Sequence, residues 1–227
     1  MTTPRPASED RAAHPSSFQA PDLTGWLGAH DIMRTQFSML ARAAGEVTAN
    51  ETERVTALEN HLGFMTRRLE WHHHHEDDDV WPTLRSADPA LTDLLDDMEQ
   101  DHGRLDELLA ITGDRSLTLS KRAPALRDLH RELAAHLDRE EAEVVPAIRR
   151  IIPASAWALG DQRFQNELGA DRAITLTWII GHLPPPARAG FLAELPVPVR
   201  ALYRTVWRPR HIRQVRLMYG ADAARSL

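Results

Sequence analysis

The sequence predicts an all-α protein: an antiparallel up-down-up-down four-helix bundle with a helical C-terminal extension. Three observations lead there. Apolar residues recur at three- and four-residue spacing through four stretches of similar length, no period-two strand pattern runs to a useful length, and a His/Glu/Pro plan occurs twice.

Each element follows from local signals. Residues 1–20, rich in Pro, Ser and charge, read as a disordered lead-in. Helix 1 is expected over about 22–45, where Leu23, Trp26, Leu27, Met33, Phe37, Leu40 and Ala41 trace one face. Asn50 and Glu53 read as a capping box for a second helix over about 51–80, with Val55, Leu58, Leu62, Met65 and Leu69 on its apolar stripe. Asp88 before Pro89 reads as the N-cap of a third helix, which stops near Gly113. Ser120 is placed to cap a fourth, expected to end about where Pro146 stands. These elements make a bundle over 21–150. Shorter helical pieces separated by prolines, at 154–164, 173–183, 187–193 and 197–219, make the extension over 151–227.

Bulk properties narrow the function. A chain of 227 residues can bury a core without staples, and the absence of cysteine excludes thiolate chemistry, iron–sulfur clusters and disulfide scaffolds. No leader-like or membrane-spanning apolar segment appears, so a cytoplasmic protein is expected. The formal charge of −6 is uneven: residues 197–227 hold seven Arg and one Asp, leaving a body of about −12 that argues against a nucleic-acid partner. Arg200, Arg204, Arg208, Arg210, Arg213 and Arg216 read as a solvated face docked on that acidic body.

The chemistry lies in the repeat. His72-x-x-x-Glu76 is followed by Pro82, and His136-x-x-x-Glu140 by Pro146 at the same distance; each preceding helix carries one further histidine, His30 and His102. Residues four apart share a helix face, so each pair offers an imidazole and a carboxylate to one point. Facing two such hairpins brings four imidazoles and two carboxylates together, a costly burial without a cation. Six ligands suit two metals, with Glu76 and Glu140 both bridging and positions left for a bridging oxygen species and a small ligand. Nitrogen and oxygen ligation without sulfur suits iron or manganese; zinc and copper also accept it.

The runs Trp71-His-His-His-His-Glu-Asp-Asp-Asp-Val-Trp-Pro82 and His136-Leu-Asp-Arg-Glu-Glu-Ala-Glu-Val-Val-Pro146, with the upstream His30 and His102, resemble the two motifs of the hemerythrin-like HHE family over about residues 23–150. That resemblance implies a four-helix bundle and two non-haem iron ions with carboxylate and oxo or hydroxo bridges, ahead of manganese or zinc. His30, His72, Glu76, His102, His136 and Glu140 would be the ligands. It also implies a small oxidant, O2, H2O2 or NO, as partner. One departure stands out: helix 3 offers one ligand, His102, where oxygen-carrying hemerythrin supplies a pair, which speaks against reversible oxygen carriage.

The neighbouring residues have plainer roles. His73 with Asp77 has the spacing of His72 with Glu76, and alignment on the two prolines favours His72. Among His73, His74 and His75 at least one should face solvent. His61, about 16 Å along the helix from His72, reads as a core or channel residue, and His130 as surface. Trp26, Trp71, Trp81, Phe37 and Phe64 either line a dry pocket or form plain core. Asp31 and Asp101 are placed to accept from ligand imidazoles across a helix interface. Two functions follow: a di-iron protein that binds or consumes a small oxidant, or an iron- or oxygen-responsive interaction module without turnover. A metal-free helical scaffold would require the repeat to be incidental.

Overall fold

The computed structural model describes residues 18–224. The expected lead-in lies, up to residue 17, outside the described residues; beyond it, the Gln19 carbonyl accepts from the Ala154 N–H at 2.8 Å. The described residues are helical, with no strand among them.

Four long helices make the bundle: α1 (Thr24–Glu46), α2 (Thr52–His75), α4 (Thr92–Gly113) and α5 (Leu119–Arg139). Contacts run α1–α2, α2–α4, α4–α5 and α5–α1, closing the square that an up-down-up-down chain makes. The second and fourth bundle helices, α2 and α5, do not end at their prolines. Each passes through a five-residue π-helical turn, Glu76–Val80 and Glu140–Val144, into a short continuation, α3 (Trp81–Ala87) and α6 (Val145–Ile151). The Trp81 N–H donates to the Glu76 carbonyl and the Val145 N–H to that of Glu140, the wide bond of a π turn. Pro82 and Pro146 follow directly. A proline has no N–H to give, so a turn widened just before it lets the helix continue where an uninterrupted α-helix would break.

The caps differ from expectation in two places. Glu51, not Asn50, precedes α2, and its carboxylate accepts from the Thr48 N–H at 2.8 Å. Thr118, not Ser120, caps α5, accepting from the Lys121 N–H. Asp88 accepts from the Ala90 N–H as expected, although a single 3-10 turn, Pro89–Leu91, precedes α4.

The core falls into two apolar clusters. One, running from Met33 through Leu58, Leu105, Leu126 and Leu133, fills the loop end below; the other, built on Leu23, Trp81, Leu84, Met98 and Ile148, fills the opposite end. On every bundle helix the break between them falls at the repeated His and Glu residues, so a polar layer divides the core. Far from that layer, Arg122 is buried; it pairs with Glu59 and donates to the Thr112 carbonyl at 2.7 Å, joining α2, α4 and α5.

The extension contains α7 (Ala154–Glu167), α8 (Arg172–His182), α9 (Pro185–Glu194), α10 (Val197–Leu202), a third π turn (Tyr203–Trp207) and α11 (Arg208–Tyr219). It docks through its apolar side. Trp178, Val215 and Met218 belong to the same core as α1 and α2, while Arg204, Arg210, Arg213 and Arg216 stay exposed. These four arginines form the solvated face expected of them, while Arg163 of α7 pairs with Asp79 of the bundle at 3.2 Å. No helix among the described residues is long and apolar enough to cross a membrane.

Candidate metal centre

All six residues singled out in the sequence meet in the polar layer, and His73 joins them. They form two groups: His30, His72, Glu76 and Glu140, and His73, His102 and His136, the donor atoms of each group lying within 4.8 Å of one another. Glu76 reaches both. Its Oε1 lies 3.2 Å from His72 Nε2 and its Oε2 3.3 Å from His102 Nε2. The His102 and His136 Nε2 atoms are 3.2 Å apart, and His30 Nε2 is 3.4 Å from Glu140 Oε2.

The two carboxylates expected to bridge differ in their surroundings. Glu140 Oε1 accepts from the Trp26 indole N–H at 3.1 Å, so only Oε2 faces the first group. His73 lies in the layer together with His72, the residue chosen from the histidine run. Consecutive residues diverge by about 100° on a helix, but a bundle interior is wide enough to receive both: His72 turns toward His30, and His73 stacks on His102 with ring centroids 4.1 Å apart. His73 also supplies the imidazole that helix 3 lacks. The remaining histidines stand aside: His74 is exposed, half-buried His75 pairs with Asp79, and half-buried His130 belongs to neither group.

Carboxylates fix the rings. His30 Nδ1–H donates to Glu141 at 2.9 Å and His102 Nδ1–H to Asp77 at 2.8 Å, which turns both Nε2 atoms inward. Glu141 and Asp77 each follow a repeated Glu, a signal present in the sequence and passed over. Arg34 anchors Glu141 at 2.8 Å. Asp101 faces His136 Nδ1 at 3.6 Å from the neighbouring helix, as expected, whereas Asp31 is exposed and pairs with Arg34 instead. Of the aromatic residues, Trp26 packs on His30 and His72, Trp81 on His102, and Trp157 on Trp26. Phe37 and Phe64 are plain core, and Trp71 stacks on His75 outside the layer.

The electrostatics are those of donors lacking a cation. Burial lowers His30 despite Glu76, and holds His72 well below the usual imidazole range; it brings His73 and His136 down to about 4. Burial also pulls on His102, but Asp77 and Glu76 outweigh it and raise that ring to about 9. Glu76 is exposed to the same burial cost, yet the surrounding imidazoles lower it. Burial and the Glu76 charge push Glu140 well up. Both shifts, Glu140 upward and His102 upward, run in the direction that favours added positive charge in the layer. Both Glu76 oxygens, Glu140 Oε2, His30 Nε2, His72 Nε2 and both His73 nitrogens are buried without a hydrogen bond. Buried polar atoms are nearly always paired, so this concentration of unpaired donors fits a metal and fits little else.

The sequence model of the hemerythrin HHE cation binding domain matches residues 23–148. This chain belongs to the hemerythrin HHE family. A comparison with curated proteins gave no match, and neither did one with solved structures. The hemerythrin-like match spans the four bundle helices and both π turns and stops before the extension, so α7 to α11 are an addition to the HHE unit.

Proposed function

We propose that this chain is a non-haem di-iron protein of the cytoplasm that binds or reacts with a small oxidant, O2, H2O2 or NO. The observation that carries this is the pair of buried donor groups sharing one carboxylate: His30, His72, Glu140 and Glu76 Oε1 on one side, His73, His102, His136 and Glu76 Oε2 on the other. Four donors per ion leave room at a six-coordinate metal for a small ligand, and nitrogen-rich ligation suits iron. Two irons held there would supply redox equivalents and a Lewis-acidic position for that ligand.

The chain's own side chains do the rest. Glu141 and Asp77 hold His30 and His102 with Nε2 inward, Trp26 holds Glu140 Oε1 through its indole N–H, and Trp26, Trp81 and Trp157 pack around the layer and would limit access of water. Iron content together with the absorption spectrum tests the proposal. About two irons per chain with charge-transfer bands, lost in His136→Ala with Glu140→Ala, would support it, and a protein grown with ample iron that holds none would end it. Adding peroxide or NO to the loaded protein then separates turnover, seen as oxygen release, from a stable adduct.

The shared core favours a second reading, that metal occupancy is signalled to the extension. Trp178, Val215 and Met218 pack into the same cluster as Phe37 and Leu62. Limited proteolysis tests it: protection of residues 150–227 that rises with iron supports signalling, and an unchanged cleavage pattern removes it.

A further inference from the structure

Where the extension meets the bundle, α2, α8, the third π turn and α11 enclose a cleft of about 350 Å3. That size is within the range of about 300–1,000 Å3 seen for small-molecule sites. Asn60, His61, Trp178, Trp207, Arg210 and His211 line it, among smaller apolar side chains. It lies outside both metal-donor groups, and most of it is made by the added helices.

The cleft is a built site. His211 is 8% exposed, lines the cleft, and leaves its Nε2 buried without a partner. His211 meets Trp178 edge-on at 4.4 Å, and His61 stacks on Trp178 at 4.5 Å. A hydrogen-bonded chain fixes the other rings. His182 Nδ1–H donates to the Trp178 carbonyl at 2.8 Å, the Gln36 amide donates to His182 Nε2 at 3.2 Å, and His61 Nε2–H donates to Gln36 Oε1 at 2.9 Å. Burial keeps His61 down to about 3 and His211 down to about 4, so both are neutral near pH 7. The exposed Arg210 is then the one formal charge lining the cleft, and no carboxylate lines it.

The backbone repeats a device used at the metal layer. Glu76, Glu140 and Tyr203 each open a π turn and each stand six residues before a proline, Pro82, Pro146 and Pro209. Two of these turns open on the carboxylates of the metal layer, Glu76 and Glu140, and π turns occur frequently at functional sites. The third ends on Trp207, which with Arg210 and His211 just beyond forms one wall of the cleft.

We propose that this cleft binds a small aromatic carboxylic acid. The apolar walls and the Trp207 indole take the planar body, the His211 ring edge closes the inner end, and Arg210 pairs with the carboxylate at the mouth. One guanidinium suits a monoanion, which is why a carboxylate is favoured over a phosphate.

The test is calorimetric titration of the full-length protein, metal-free and iron-loaded, with 2-naphthoate and with uncharged 2-naphthylmethanol. One-to-one saturable binding of the acid in both forms is expected, weakened about tenfold by Arg210→Gln and also by Trp207→Leu. Absence of saturable binding up to about 1 mM acid would overturn the proposal, as would equal binding of the alcohol with Arg210→Gln silent. Binding lost in His136→Ala and kept in Arg210→Gln would assign the acid to the metal layer and overturn it as well. A failure of the iron reading leaves this result untouched, because the metal-free arm stands alone.

Discussion

The two hairpins of the bundle carry one plan, and three of the corresponding positions at which they differ lie next to the repeated histidines. Four residues before each upstream histidine stands Trp26 in the first hairpin and Met98 in the second; four residues after it stands Arg34 or Asp106; and after the second histidine stands His73 or Leu137. The first difference decides which carboxylate is shared. Trp26 donates an N–H to Glu140, while the thioether of Met98 has none to give, so Glu140 keeps one oxygen for the layer and Glu76 keeps two. The third restores the balance. With Glu140 held to one side, the second group would be a donor short, and His73 supplies it where Leu137 could not. On the proposed reading, a duplicated motif has become two inequivalent sites, each with four donors when Glu76 is counted in both.

Removing the shared carboxylate is the most damaging way to test this. Glu76→Gln is expected to abolish binding of both ions, while Glu140→Gln leaves one; metal analysis after dialysis distinguishes them. Next, His73→Ala should lose only the ion of the three-histidine group, whereas its counterpart Leu137→Ala should keep both and lose about 2–5 kcal/mol of stability, the usual cost of a buried leucine. Retention of two ions by His73→Ala would mean that His73 is not a ligand. Smaller effects are expected from the carboxylates behind the rings. Asp77→Asn and Glu141→Gln should each weaken metal affinity by about 10–100-fold in a chelator competition, with Glu141→Gln also freeing Arg34.

The mildest effect is on the pH dependence of the metal-free protein. His73, His136, His61 and His211 have folded values of about 3 to 4, below the 6.5 of the unfolded chain, so the unfolded state binds more protons and stability falls as pH drops from 6.5 toward 4. His102 acts oppositely. Raised to about 9, it adds stability below 6.5 that disappears as pH climbs through 9. Urea unfolding across this range should show a maximum near pH 6.5 with the steeper fall on the acid side, and His102→Asn should flatten the alkaline fall.

Much of this was legible in the sequence because helix periodicity and ligand spacing are local. The four helices and the six repeated residues needed only the 3.6-residue turn. Three features were not legible. Helices 2 and 4 were expected to stop near their prolines, because a π turn is one extra residue that no apolar stripe announces. His73 was set aside because alignment on the two prolines pairs His72 with His136, and only the width of the bundle interior shows that both adjacent residues turn inward. The cleft depends on His61, Trp178, Trp207 and His211 meeting from α2, α8, the third π turn and α11, a tertiary fact without a local signature.

Anomalous diffraction from crystals of the iron-grown protein, collected at the iron edge, tests the central claim most directly. Two peaks are predicted, one between His30, His72, Glu76 and Glu140 and the other between Glu76, His73, His102 and His136, with Glu140 touching only the first. A single peak, or two peaks with His73 turned away, would contradict it.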